Sequence, residues 1–398
     1  MKRHSLLFII VFLAGFLAWQ SAAAQGVVPV EQVVTSHIFG EQVSVRAQVR
    51  TDQTISQAVA FLRAQGESAS ISTPVQVGPD GEISFIHQIR NGNLRPFAEV
   101  AFWFRFTFAD GSTVDSAEFA FRYLDNRFPW QVREQDNLRV HWYAGDATFG
   151  QSALDAARSG AERAGRLLLV SLSRPVDIYI YASSEDMRAT LLQGGPAWVS
   201  GHASPDLYLA LVAIAPGLEQ DANMERKIPH ELAHILTYEL ARERYPLLPI
   251  WLREGIATVS ETYPSPDYPR SLEYAVENEG LLSFSRLCGD FPVDASSRFL
   301  AYAQSESFTR YIVEEYGISG LNRLVQSYGD GLGCEQGVQQ ALGISLSQLE
   351  YAWRANSLGE NRLAVAFKNL SGYVLVFLVL LFLPIAPALL SSFKPKHG

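Results

Sequence analysis

Two histidines and a glutamate in one short stretch are residue types that can form a metal site. His230 and His234 lie four positions apart, and Glu231 directly follows the first of them. On a helix, positions i and i+4 project from one face, so the two imidazoles can bind a single zinc ion while Glu231 lies beside it. A catalytic zinc site usually has three protein ligands and a fourth position for water. The third ligand must therefore come from another element.

Glu254 is the candidate for that third ligand, within the segment Trp251–Ala257. Nineteen residues separate it from His234. They are enough to complete one helix, turn through Tyr245–Pro249 and begin a second helix that faces the first. We therefore predict one zinc ion per chain, bound by His230, His234 and Glu254.

The two motifs together resemble those of a known enzyme family. The pattern His-Glu-x-x-His at 230–234 and Trp-Leu-x-Glu-Gly-x-Ala at 251–257 is similar to that of the gluzincin metallopeptidases, and more closely to the peptidase MA-like domains. The resemblance covers about residues 130 to 330 and is specific only around the motifs. It implies hydrolysis of a peptide or protein substrate, in which zinc lowers the pKa of a water molecule. Glu231 would take the proton of that water and pass it to the leaving amine.

The resemblance also suggests residues around the ligands. Gluzincins commonly use a Tyr or His from a helical subdomain to stabilise the oxyanion, and Tyr302 is the candidate here. The competing interpretation of Tyr302 is a core position on an amphipathic helix. Thermolysin-like members carry an Asp four residues after the third ligand to orient a histidine, but Thr258 occupies that position. A different residue is therefore expected to orient the histidine.

The N-terminus of the chain has the pattern of a secretory signal. Lys2 and Arg3 precede an uncharged run over residues 6–18, and three alanines at 22–24 supply small residues at the cleavage positions. Residues 1–24 are therefore predicted to be a signal peptide, with an uncleaved anchor helix as the alternative.

The C-terminus has the pattern of a membrane anchor. Residues 372–390 are uncharged and long enough to cross the hydrocarbon of a bilayer, and Lys394 and Lys396 follow them. This predicts a single C-terminal transmembrane helix with residues 391–398 as a cytoplasmic tail. The rest of the mature chain would then lie outside the cytoplasm at the cell membrane. A buried core helix is the alternative for this segment.

Charge and cysteine content limit the possible partners. The 32 Lys and Arg include four in the two terminal segments, so the external part has 28 against 41 Asp and Glu, a net charge of about −13. Such a surface repels phosphate backbones, and we expect no nucleic-acid partner. The two cysteines, Cys288 and Cys334, are predicted to form a disulfide outside the cytoplasm, with two buried free thiols as the alternative.

Residues 27–125 have the pattern of an all-β domain. Apolar residues alternate in Val43–Val49, Glu82–His87 and Val100–Phe108, and turn residues separate these segments. Such spacing predicts an antiparallel β-sandwich of immunoglobulin-like size. No set of residues suited to catalysis is visible in it, and it is interpreted as a spacer or a binding module.

Residues 128–360 mix strand and helix patterns. Strands are predicted at 130–133, 138–143, 176–181 and 207–214, and helices at 151–169, 184–192 and around the His-Glu-x-x-His motif. This order predicts a small sheet backed by helices, as in gluzincin domains, and the resemblance places strand 207–214 at the edge of the sheet beside the metal. Asp221 is expected to cap a zinc helix that is kinked at Pro229. A further helix is predicted from Phe299 to Tyr316, ending at Gly317.

The predicted fold class is therefore α+β: an immunoglobulin-like β-sandwich, a gluzincin-type metallopeptidase domain and a C-terminal transmembrane helix. The predicted function is that of a membrane-anchored zinc metallopeptidase, with a peptide or protein substrate and the lipid bilayer as partners. One alternative is a catalytically silent zinc-binding surface module whose β-sandwich binds a partner. Another is a structural surface protein whose histidines bind no metal.

Overall fold

This computed structural model describes residues 27–90, 92–191 and 201–360, and six further positions at 370, 373, 374, 376, 377 and 380. The predicted signal peptide at 1–24 lies outside the described residues, as does the predicted span at 372–390 except for five scattered positions. Within the described part of the chain, no helix is both long enough and apolar enough to cross a membrane.

The chain divides into two units, of which the first contains the residues up to Arg90 and Glu99–Tyr123. Its described part has two antiparallel sheets, with strand orders β1-β2-β5 and β4-β3-β6-β7, and β8 also pairs with β6. The strands are β1 (Val30–Ile38), β2 (Gln42–Val49), β3 (Ile55–Ala64), β4 (Ile71–Val75), β5 (Glu82–Gln88), β6 (Glu99–Phe108), β7 (Thr113–Asp115) and β8 (Phe119–Arg122).

Alternating burial in the first unit follows the alternating sequence. In β5 and β6 every second residue is buried, and the rings of Phe85 and Phe104 from the two strands meet edge to face at 6.1 Å between centroids. Apolar side chains on one face of each strand therefore form a core between the two sheets. The immunoglobulin-like topology stays a prediction.

The second unit contains residues 91–98 and the chain from Leu124 onward, and it has one mixed sheet among its described residues. The sheet order is β12-β13-β11-β10-β9. Strands β10, β11 and β13 are mutually parallel, while β9 and β12 pair antiparallel at the two edges. The strands are β9 (Gln131–Gln135), β10 (Leu138–Trp142), β11 (Val176–Tyr181), β12 (Gly201–Ser204) and β13 (Leu209–Ala213).

The strand predicted at 207–214 corresponds to β13, but its predicted edge position is wrong. It lies between β11 and β12, so the short strand β12 forms this edge among the described residues. The sequence did not reveal β12 because its four residues, Gly-His-Ala-Ser, have no apolar alternation.

Helices cover the sheet and form a second core beside it. They are α1 (Ala147–Leu168), α2 (Ser184–Leu191), α3 (Gln220–Ala241), α4 (Ile250–Ser260), α5 (Tyr268–Glu277), α6 (Phe284–Leu287), α7 (Ala295–Gly329), α8 (Cys334–Leu342) and α9 (Leu346–Ser357). Residues of α1 and α3 pack on one face of the sheet, and the second core surrounds the fully buried Trp251 of α4. The helical path of α7 breaks at Gly317, which has φ 71° and ψ 173°, at the position where the sequence predicts a helix end. The predicted α+β class is confirmed.

Helix α3, which carries the His-Glu-x-x-His motif, begins earlier than the sequence predicts. It starts at Gln220, where no side chain caps it, so the predicted cap by Asp221 is wrong. The helix continues through Pro229, whose ring packs against α1 where α1 has Gly160. A Cβ atom at Gly160 would lie 2.7 Å from Cα of Pro229, so a glycine permits the two helices to cross this closely.

Candidate metal centre

The structure brings together the three residues predicted to bind zinc. Helix α3 presents His230 and His234, and α4 presents Glu254, whose Oε2 lies 3.4 Å from Nε2 of His230 and 3.7 Å from Nε2 of His234. One potential ligand atom from each residue lies within 4.8 Å of the other two, so the three could hold a metal ion. Two imidazoles and one carboxylate are a donor set that suits zinc and leaves a coordination position for water.

The buried face of α3 fixes the direction of the two histidines. Leu232, Ile235 and Leu236 are fully buried in the cores on either side of the helix, which leaves the opposite stripe to face α4. A short 3-10 segment at 242–247 reverses the chain between α3 and α4. The local helical period and this turn therefore set the ligand geometry.

The second nitrogen of each histidine has its own hydrogen-bond partner. Nδ1 of His230 lies 3.0 Å from Oε1 of Glu261, and Nδ1 of His234 lies 3.0 Å from the hydroxyl oxygen of Tyr245. With Nε2 on a metal, each Nδ1 carries a proton and donates it to these oxygens, which holds both rings in the ligating tautomer. The side chain of Thr258 donates instead to the main-chain oxygen of Glu254. The sequence thus predicted that the orienting residue differs, but it did not identify Glu261 or Tyr245.

Pro229 explains how Glu261 reaches His230. Proline has no N–H, so the carbonyl of Glu225, four residues earlier, lacks its helical donor. The main-chain N and the side-chain Oγ1 of Thr262 donate to this carbonyl at 2.9 and 2.8 Å. These two bonds hold Thr262, the residue after Glu261, against α3 about one turn before His230.

Glu231 is buried beside the three ligands and is not one of the proposed metal-binding residues. Burial and the neighbouring carboxylates Glu254 and Glu261 raise its pKa to about 8, against the opposing effect of His230. A bound cation would lower this pKa again. The first residue of β12, Gly201, packs on the Glu231 carboxylate so closely that a Cβ atom there would overlap Oε1. The contact with Gly201 thus limits where the Glu231 carboxylate can lie.

The charges of the three proposed ligands are complementary. Burial lowers the pKa of His234 to about 4, which leaves its ring neutral and able to bind a metal. Burial would raise the pKa of Glu254, but the two histidines lower it to about 2, so it is a carboxylate. Burial likewise opposes a charge on His230, but its hydrogen bonds to Glu254 and Glu261 raise its pKa well above the usual value.

A cavity of about 260 Å³ opens onto these residues. Its walls come from β12 and the turn after it, α3, α4, and the start of α7 with the loop before it. Tyr302 of α7 lines it, with its ring centroid 6.1 Å from that of His230, and packs edge-on against Phe291. His202 of β12 also lines it, although the sequence gave no spacing signal for that residue. A larger groove, of about 520 Å³ between α5 and α7, contains none of the metal-centre residues.

Cys288 and Cys334 lie in the helical part of the second unit, where the structure joins them as a disulfide. Their Cα atoms are 6.0 Å apart, a usual separation for a bonded pair. The bond links the residue after α6 to the first residue of α8 across 46 positions of sequence.

Comparison with known proteins identifies the class and the family. The site has the donor set and the adjacent glutamate of a metallopeptidase. A family model described as the Peptidase MA superfamily matches residues 156–359, just over half of the chain. The chain therefore belongs to the Peptidase MA superfamily, and the resemblance seen in the motifs is confirmed. No curated protein matches the sequence.

Several solved structures show local likeness. An aminopeptidase N family protein from Idiomarina loihiensis aligns over 79% of this chain and 74% of its own, with 8% identity and a TM-score of 0.38. A structure described as a myokine covers 25% of this chain and 99% of its own, with 11% identity and a TM-score of 0.20. A family 56 carbohydrate-binding module, a beta-1,3-glucan binding domain, covers 23% and 100%, with 10% identity and a TM-score of 0.16. All three TM-scores lie below 0.5, and no conclusion rests on them.

Proposed function

We propose that this protein is a membrane-anchored zinc metallopeptidase that hydrolyses peptide bonds outside the cytoplasm. One observation carries the proposal: His230, His234 and Glu254 converge to within metal-binding distance while Glu231 stays beside them and outside the donor set. Membership in the Peptidase MA superfamily supports a metallopeptidase-type function. A carboxylate next to the metal but not bound to it is the group that hydrolysis needs as a base.

Zinc, when bound by these three residues, supplies a Lewis acid that polarises the scissile carbonyl and lowers the pKa of a water molecule. Glu231 would accept the proton of that water on a carboxylate oxygen as the water oxygen bonds to the carbonyl carbon. It would then donate the proton to the amine nitrogen as the C–N bond breaks, and the carboxylate would return to its starting state. Because Gly201 has no side chain, β12 can pack directly against the Glu231 carboxylate and limit its movement.

Two other elements of the cavity are proposed to act on the substrate. Tyr302, which lines the cavity, would donate a hydrogen bond from its hydroxyl to the oxyanion that develops on the carbonyl oxygen. Burial and the nearby carboxylates raise the pKa of Tyr302 well above its usual value, so its hydroxyl keeps the proton it needs for this role. Among the described residues β12 pairs on one side only, with β13, so an extended substrate can add to its other side by main-chain hydrogen bonds.

The location and the accessory parts are proposed from the sequence. The apolar run at 372–390, followed by two lysines, supports a single C-terminal span, and residues 1–24 support secretion of the preceding part. The first unit supplies none of the proposed catalytic residues, and we propose that it is a spacer or a binding module with an immunoglobulin-like fold.

The experiment that tests this proposal measures zinc and hydrolysis on the same preparation. The full-length protein should purify with about one zinc per chain and cleave peptides from a diverse library, and a chelator should stop the cleavage. Zinc without any chelator-sensitive cleavage would favour the silent zinc-binding module. A protein that binds no zinc would contradict the proposal outright.

A further inference from the structure

Arg253 places a guanidinium group in the wall of the cavity that contains the proposed metal ligands. It directly precedes Glu254 on α4 and is half-buried. Its Cζ atom lies 5.4 Å from the centroid of the Tyr245 ring, the ring whose hydroxyl contacts His234. The aromatic face supports the guanidinium from one side.

The guanidinium is not fully satisfied by the protein. Nε of Arg253 is buried and has no hydrogen-bond acceptor among the described residues. The neighbouring carboxylate, that of Glu254, is directed at His230 and His234 instead. Nε itself is closed to solvent, but the side chain is only half-buried and lines the cavity, so the exposed part of the guanidinium can meet a ligand there.

Two arginines, Arg253 and Arg298, line this cavity. The external part of the chain is strongly acidic, with a net charge of about −13. The acidic residues of the cavity, Glu231 and Glu254, belong to the metal centre.

We propose that Arg253 binds a carboxylate of the peptide substrate and so sets a preference for substrates that carry one close to the scissile bond. The inference rests on the proposed peptidase function and adds the substrate class. A guanidinium binds a carboxylate through two parallel hydrogen bonds, a geometry that no neutral amide reproduces. An extended peptide advances about 3.3 to 3.6 Å per residue, and Arg253 shares one small cavity with the ligands, so the carboxylate lies within about two residues of the cleaved bond.

The carboxylate can come from the C-terminus of the peptide or from an Asp or Glu side chain. Cleavage sites are first mapped on the full-length protein with a mixed peptide library. Matched peptides are then made that differ in one charge only: a free or amidated C-terminus, and Glu or Gln at each of the two positions on either side of the cleaved bond. The ratio of kcat/KM within each pair measures the preference, and the pair with the highest ratio identifies the source.

We expect wild type to prefer the carboxylate member of one pair by about 10- to 100-fold, as a charge-assisted pair of hydrogen bonds allows. Arg253→Gln should reduce that ratio to near one. Arg253→Lys should keep part of it, because lysine retains the positive charge but lacks the two parallel N–H donors of the guanidinium. Arg270→Gln is the control, because Arg270 pairs with Asp267 on the exposed surface of α5. This control should keep the ratio of wild type. The preference of wild type alone already tests the proposal if the Arg253 variants do not fold.

A second readout does not depend on catalysis. Glu231→Gln keeps the proposed ligands, and binding of the preferred peptide and its neutral partner to this variant is measured by calorimetry. The double variant with Arg253→Gln should lose the difference in affinity. Equal kcat/KM within every pair, or a preference that survives Arg253→Gln, would overturn the role of Arg253 and leave the peptidase function standing. If wild type cleaves none of the peptides, the peptidase function fails. In that case, equal binding of the charged and neutral peptides to Glu231→Gln would overturn this inference separately.

Discussion

The carboxylate of Glu261 lies 3.0 Å from Nδ1 of His230, so a residue seven positions after the third proposed ligand orients the first. Glu261→Gln removes the negative charge that stabilises the Nδ1 proton when Nε2 binds a metal. Zinc affinity should fall by about 10- to 100-fold, as is usual when a hydrogen-bond partner of a ligating histidine is lost. Competition with a chelator of known affinity measures the change.

Thr258→Val is the control for that measurement. Thr258 occupies the position of the orienting Asp of thermolysin-like relatives, yet its hydroxyl only donates to the main-chain oxygen of Glu254. Zinc affinity of Thr258→Val should stay near that of wild type. A loss in Thr258→Val that equals the loss in Glu261→Gln would show that the orienting role was assigned to the wrong residue.

Gly201 tests whether β12 positions the catalytic base. In Gly201→Ala the new methyl group would overlap Oε1 of Glu231, so the carboxylate must move while the three ligands remain. Hydrolysis should fall at least 10-fold with zinc content retained, because a base displaced by about 1 Å loses much of its effect. Gly289→Ala is the control, since no atom lies within 4 Å of a Cβ atom there and its φ is ordinary. Full activity of Gly201→Ala would rule out this contact as a constraint on Glu231.

Asp177 on β11 gives the second unit a specific acid sensitivity. Burial alone would raise its pKa, but His141 and Arg139, which bond to it at 2.8 Å, lower the pKa to about 2. Because the folded pKa lies below the unfolded value of about 4, the stabilisation is complete above pH 4 and is lost as pH falls towards 2. The difference corresponds to about 2 to 3 kcal/mol.

Denaturant unfolding of wild type and Asp177→Asn at pH 7 and pH 3 checks this expectation. The variant should be less stable than wild type at pH 7 by about 2 kcal/mol and should lose less stability on going to pH 3. Parallel losses in the two proteins would show that Asp177 does not cause the acid sensitivity.

The proposed ligands could be predicted from sequence because their spacing is a local property. Positions 230 and 234 lie on one helical face in any helix, and the motif around Glu254 fixed the third ligand. Gly255, the residue after the third ligand, packs closely on α7: a Cβ atom there would lie 2.6 Å from the main-chain oxygen of Ser305. Periodicity shows that a face is packed but not which element packs on it.

The residues around the ligands depend on tertiary contacts and could not be predicted. Glu261 is 31 positions from His230, and Tyr245 is 11 from His234, without a fixed period in either case. The contact that compensates for the missing N–H of Pro229 could not be predicted either. The donor to the Glu225 carbonyl is Thr262, which is 37 positions away in the sequence. The edge strand β12 was missed because four residues carry too little pattern.

The most direct test of the account is the effect of Glu231→Gln on hydrolysis and on zinc content, measured side by side with His234→Ala. Gln keeps the shape of the side chain and leaves all three ligands in place, but it cannot accept the proton of the attacking water. The account predicts a rate lower by about 10²- to 10⁴-fold with about one zinc per chain retained, whereas His234→Ala loses both metal and activity. Hydrolysis by Glu231→Gln at the wild-type rate, with zinc bound, would contradict the assignment of Glu231 as the base.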